Sequence, residues 1–216
     1  MCEIIDIYVN MLIILHMAKS REQLAALASR RSIFSASEAA AAGVHSEYLS
    51  RAVANGTLER VARGRYQLTG RAVTEHHTLA LVASRAPNAV VCLLSALQFH
   101  HVGTQTPSQV WVAVERRSAS PQIEYPPLRV VHLSGDAFAL GVETHLLDGQ
   151  TVLIYSLAKT IADCFKFRNK IGLDVALEAL RDAWWQRRLS LAELNSFAKV
   201  NRVERVMQPY IEAIIQ

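Results

Sequence analysis

The chain has 216 residues, enough for one large domain or two small ones with a substantial core. Hydrophobic residues make up 51% and charged residues 19%, a balance that excludes an intrinsically disordered chain. The net charge of +4 is unevenly placed: Lys19 to Glu75 holds nine Lys/Arg against five Asp/Glu, and the remainder holds fourteen of each, as in a polyanion-binding module joined to a neutral one.

The first seventeen residues, MCEIIDIYVNMLIILHM, are apolar but interrupted by Glu3, Asp6 and Asn10. They lack the basic n-region and small-residue cleavage site of a signal peptide, and the uncharged run from Ile7 to Met17 is too short to span a bilayer. Residues 1–17 are read as an apolar leader without membrane attachment: either the true start is Met17, the favoured reading, or the segment is an arm that packs on another surface. The three cysteines, Cys2, Cys92 and Cys164, are far apart and odd in number. They suit a reducing, cytoplasmic compartment better than a disulfide framework, and no CxxC or Cys/His zinc spacing accompanies them.

Residues 18–72 read as a winged helix-turn-helix. Leu24, Leu27 and Ala28 make one apolar face of a first helix over Lys19–Arg30. Ser35 or Ser37 caps an alanine-rich second helix, and Gly43 stops it. Val44 plugs the core at the turn. His45 or Ser46 opens a third helix that ends at Asn55-Gly56. With Leu49, Ala52 and Val53 inside, that helix leaves His45, Ser46, Glu47, Ser50 and Arg51 exposed. Ser and Arg contact phosphates and base edges, and Arg51 has the reach for guanine O6/N7. The bland reading of that face is a solvated surface, and the segment that follows weighs against it. Leu58–Val61 and Arg65–Leu68 flank Ala62-Arg63-Gly64 as a hairpin, expected to turn Leu58, Val61, Tyr66 and Leu68 inward and Arg60, Arg63 and Arg65 outward. Gly64 supplies the backbone angle of the tight turn, and arginines round the tip suit phosphate or minor-groove contact.

Residues 73–216 read as a second, α+β domain. Arg71–Arg85 is a linking helix, and Ala86-Pro87-Asn88 breaks it. Strands over Ala89–Leu93, Val110–Val114 and Leu128–Leu133 are separated by a short helix at Ser95–His101 and a polar, Pro-containing loop at Arg116–Pro127. Asp148-Gly149 then turns a hairpin between Val142–Leu147 and Thr151–Tyr155. Four helices follow, over Ser156–Phe167, Leu173–Gln186, Ser190–Lys199 and Arg202–Ile215. Strands first and helices afterwards imply a small, largely antiparallel sheet with a helical C-terminal part. Lys166, Arg168 and Lys170 are candidates for a second basic surface toward nucleic acid or a toxin-related target. The competing reading is a solvated helix end, where cations meet the helix C-terminus.

Catalytic and cofactor chemistry finds little support. The pairs His76-His77 and His100-His101 point about 100° apart on a helix and have no acidic or Cys partner at i+3 or i+4, so no metal is expected. No G-x-S-x-G elbow and no phosphate-binding glycine loop occurs, and no cofactor is expected. Glu115-Arg116-Arg117 is a poor match to a nuclease Glu-x-Lys. Trp184-Trp185 reads as core or interface rather than a base-stacking platform. The chain is expected not to be an enzyme.

Gly64-Arg65-Tyr66, Ser95-Ala96-Leu97, Asp163-Cys164-Phe165 and Lys170-Ile171-Gly172-Leu173-Asp174, in that order and spacing, give a resemblance to the AbiEi antitoxin family of type IV toxin–antitoxin systems. It covers Ser32 to Ala213. The resemblance implies a transcriptional autorepressor that binds double-stranded DNA at repeats in its own promoter. It also implies an antitoxin that opposes a nucleotidyltransferase-like toxin without a stable complex. The alternatives are a solitary winged-helix regulator, a nucleic-acid enzyme whose catalytic part is the C-terminal domain, and an interaction module whose winged helix binds protein.

Overall fold

The computed structural model of the protein describes residues 17–70 and 74–215. The readings placed on residues 1–16 (the leader and Cys2) and on 71–73 at the start of the linking helix lie outside the described residues. The chain forms two compact units, the first running to Ala80 and including Asp148–Gln150, the second comprising Leu81–Leu147 and Thr151 onward.

In the first unit, helix α1 over residues 17–30 buries Leu24 and Ala28, as its periodicity requires. Strand β1 (Phe34–Ser35) leads directly into α2 (Ala36–Ala41). Ser35 is the cap: its hydroxyl accepts from Glu38 N–H at 3.1 Å, and the Glu38 carboxylate accepts from Ser35 N–H at 2.7 Å. This reciprocal capping box satisfies two backbone donors of a helix too short to hold itself. Gly43 follows at φ +86°, Val44 is buried, and α3 spans Ser46–Ala54. Strands β2 (Leu58–Ala62) and β3 (Arg65–Leu68) complete an antiparallel sheet in the order β1-β3-β2. Leu24, Ala28, Phe34, Ala39, Val44, Leu49, Ala52 and Leu58 close one apolar core beneath it.

Helix α4 (His77–Arg85) carries the chain onward, and the second unit is built on a sheet of order β6-β5-β4-β8-β7. Its strands are β4 (Val90–Val91), β5 (Val110–Glu115), β6 (Leu128–Leu133), β7 (Val142–Leu147) and β8 (Gln150–Tyr155). Helix α5 (Leu93–Phe99) links β4 to β5. The fold is the mixed class expected, a winged helix-turn-helix followed by strands and then helices. Its second sheet pairs β4 with β5 antiparallel, and it also contains parallel pairings of β4 with β8 and β5 with β6. The loop over residues 116–127 between β5 and β6 is as long as a parallel crossover demands. The Ala89–Leu93 strand shortens to Val90–Val91, because Leu93 takes φ +46° and starts α5. The short helices α6 (Asp136–Ala139) and α8 (Arg168–Ile171) have no counterpart in the sequence reading.

Helix α7 (Leu157–Lys166) is buried at every position from Leu157 to Phe165, which makes it the axis of the second core. Its cap is Ser156, as expected. Around it lie α9 (Leu173–Trp185), α10 (Leu191–Asn201) and α11 (Glu204–Ile215), with Leu97, Trp111, Tyr155, Leu180, Phe197 and Met207 among the packed side chains.

Candidate nucleic-acid interface

Helix α3 owes its orientation to a simple division of faces. Leu49 and Ala52 are buried, Val53 packs against the same core, and His45, Ser46, Glu47, Ser50 and Arg51 are all exposed. His45 is the N-cap residue in extended backbone, and Asn55 and Gly56 terminate the helix, Gly56 at φ +76°. The open face is not an array of independent groups. Arg51 Nη2 lies 2.6 Å from Glu47 Oε1, one turn back, and its Nη1 lies 3.4 Å from Met17 Sδ. The Ser50 hydroxyl donates to Ser46 C=O at 3.0 Å, which leaves its lone pairs outward. Both members of the ion pair remain more than half exposed, so the pair contributes only about 0.3–0.5 kcal/mol and opens readily toward a better partner.

The wing is a hairpin with a two-residue tip, Arg63-Gly64, where Gly64 takes φ +69°. Leu58 faces Leu68 and Arg60 faces Tyr66, but the next pair is Ala62 with Arg65, so Val61 is an extra residue on β2. Leu58, Arg60, Tyr66 and Leu68 therefore share one face of the sheet. Leu58 is buried there, whereas Arg60 passes the edge of the core and is exposed. Its guanidinium sits 5.6 Å from the Tyr66 ring centroid and donates to the Tyr66 hydroxyl at 3.2 Å. Arg63 at the tip is exposed.

Arg65 departs from the expectation that all three arginines point outward. It is one residue from Tyr66 and so lies on the opposite face, and β1 pairs alongside it through Ser35. A central strand position leaves it half-buried. The sequence reading missed β1, a two-residue strand without an alternation pattern of its own. Arg51, Arg60 and Arg63 are thus the exposed cations of α3 and the wing, with Gly64 shaping the tip between them and Arg65.

The three residues proposed for a second basic surface each have a local partner. Lys166 is half-buried and donates to Asn201 Oδ1 at 3.3 Å, and burial lowers its ammonium below the ordinary lysine range. Arg168 donates to Phe165 C=O at 2.9 Å, a helix-end contact, and Lys170 lies 5.6 Å from the Phe167 ring centroid. The helix-end reading describes Arg168, whereas Lys166 and Lys170 meet a side-chain amide and an aromatic ring.

Beside them lies a polar cluster the sequence did not reveal. Lys159, fully buried, spans both carboxylate oxygens of Asp163 at 2.5 and 2.6 Å, and Asn201 Nδ2 donates to the same carboxylate at 2.7 Å. Lys159 Nζ also sits 4.2 Å from the Tyr155 ring centroid. Burial raises the Asp163 carboxyl, and the lysine and asparagine oppose that. The one sequence signal was an i, i+4 pair of opposite charges inside an otherwise apolar helix. With no solvent access, this cluster anchors α7 rather than presenting a reactive group.

The remaining candidates are also structural. Burial pushes both the Cys92 and Cys164 thiols up, with the Asp163 charge adding, so neither is a nucleophile at neutral pH. His100 is buried with Nε2 2.8 Å from Tyr155 C=O, and His77 Nδ1 lies 3.3 Å from Asp148 Oδ2. Among the described residues no group of three His, Cys, Asp or Glu is placed to hold a metal. No helix of the described residues is long and apolar enough to cross a membrane. Trp185 is 70% exposed, with Arg181 5.8 Å from its ring centroid, so it is not a core residue.

Residues 22–69, which carry α1 through the wing, match the family model described as "Transcriptional regulator, AbiEi antitoxin". The match ends at the wing, so it covers the helix-turn-helix and leaves the second unit outside it. No curated protein matches the chain.

Proposed function

We infer that this chain is a DNA-binding autorepressor and the antitoxin of a type IV toxin–antitoxin system, a reading supported by the match of residues 22–69 to the AbiEi antitoxin transcriptional regulator model. The observation that carries the reading is the pairing of an open α3 face bearing Arg51 with a wing bearing Arg60 and Arg63, inside the matched segment. In that arrangement α3 enters the major groove, and the wing arginines meet the flanking phosphates. The protein acts by binding rather than catalysis, in the cytoplasm, on repeats in its own promoter. Its second unit opposes a nucleotidyltransferase-like toxin without forming a stable complex with it.

Electrophoretic mobility shift of the DNA upstream of its own gene, against a random duplex of equal length, tests this. The expected result is a preference for the upstream DNA of at least about a thousandfold, falling steeply with salt. Equal affinity for both duplexes refutes the repressor assignment. Growth rescue on co-expression with the neighbouring gene tests the antitoxin assignment, and copurification with that gene's product would refute the absence of a stable complex.

A further inference from the structure

We propose that Glu47 is a specificity-determining residue of the α3 face, accepting a hydrogen bond from a cytosine N4 amino group about two base steps from the base that Arg51 reads; this rests on the DNA-binding reading above. Glu47 sits in the first turn of α3, the end of a recognition helix that contacts base edges. It is 77% exposed, so no packing requirement holds a carboxylate at this position. On a face that approaches a polyanion, a negative charge opposes binding to every phosphate. The helix N-terminus and Arg51 favour the carboxylate in the free protein; against DNA it is favourable only where it meets a donor, and in the major groove cytosine N4 is the donor acidic side chains pair with.

The Arg51 pairing supplies the second half of the device. Residues four apart rise about 6 Å along a helix, and base pairs stack about 3.4 Å apart, so the two side chains address bases about two steps apart. In the free protein Glu47 holds Arg51 Nη2 at 2.6 Å and draws it along the helix, away from indiscriminate phosphate contact. Release costs little, because both groups are exposed. On the correct sequence each exchanges its partner for a base. On a wrong sequence Glu47 meets acceptors and phosphates, and the pair stays closed.

The test uses the full chain. Duplexes are selected from a random pool by wild type and by Glu47→Gln, and affinities for single-base variants are measured by fluorescence anisotropy. Far-UV circular dichroism and the thermal midpoint confirm that the substituted chain is folded. The expected result is that Glu47→Gln binds random duplex several-fold more tightly. Its preference for one cytosine should fall from about tenfold to threefold or less, with the other positions unchanged. Wild type that selects a sequence while Glu47→Gln selects the same bases with the same preferences overturns this proposal alone. A uniform loss of affinity on every duplex also overturns it, since Glu47 would then only position Arg51. Wild type that selects no sequence overturns the DNA-binding reading, and this proposal with it.

Discussion

The three wing arginines are chemically identical and successive ones lie only two or three residues apart, yet the sheet gives them different work. Arg60 and Arg63 are exposed, whereas Arg65 is half-buried on the central strand. Each phosphate contact contributes a slope of about 0.9 to the fall of log affinity with log salt. Raising salt fourfold, from about 50 to about 200 mM, then weakens wild type by a factor of about 3.5 for every contact made. Arg63→Ala should lower the slope by about 0.9, and Arg60→Ala/Arg63→Ala by about 1.8, with base preference unchanged. Arg65→Ala should leave the slope as it is and lower stability by about 1 kcal/mol, through loss of the packed stem on β3. Anisotropy titrations of one operator duplex at several salt concentrations measure the slope, and urea unfolding measures stability. The reasoning is refuted if Arg65→Ala flattens the slope as much as Arg63→Ala does, or if Arg63→Ala leaves it untouched.

Asp163→Asn should destabilise the second unit by about 3–5 kcal/mol, because Lys159 is left buried without its counter-charge. The joint replacement Lys159→Met/Asp163→Leu should recover most of that loss; urea unfolding of both variants checks it, and equal losses would dismiss the ion-pair explanation. Burial lowers the His100 pKa, so the unfolded chain binds its proton first. The stability it supports is present above pH 6.5 and drains as pH falls through the lower native value. Thermal midpoints between about pH 7.5 and 5 should fall less for His100→Asn than for wild type, whatever its midpoint at the upper end. Ser35→Ala should cost about 1 kcal/mol in urea unfolding by removing the capping box of α2, and a null effect would mean that tertiary packing alone holds that short helix.

Legibility from the sequence followed how local the determinants are. The helix-turn-helix was readable because caps, glycine stops and the α3 apolar face act within one or two turns: Ser35, Gly43, Val44 and Leu49 all stand where their chemistry placed them. Leu128–Leu133 and the Asp148-Gly149 turn were readable for the same reason. What escaped depends on distant partners. β1 exists only because β3 offers it hydrogen bonds. Arg65 is half-buried because Ser35 lies alongside, thirty residues earlier. Lys166 reads as a surface lysine until Asn201 arrives on another helix. Lys159 and Asp163 break the rule that buried lysines are rare, and only folding supplies the closure that permits them.

The extra residue in β2 locates where the wing can change length. Loss of the codon for Val61 would merge the Arg60–Tyr66 and Ala62–Arg65 pairs into an unbroken ladder, with Arg60 still on its present face and Arg63-Gly64 still at the tip. Loss of the codon for Arg60 with the bulge retained would instead carry Glu59, which now pairs with Gln67, over Tyr66 and onto the Leu58 face. Natural variation in this hairpin should therefore come as single-residue changes at position 61, and in steps of two elsewhere.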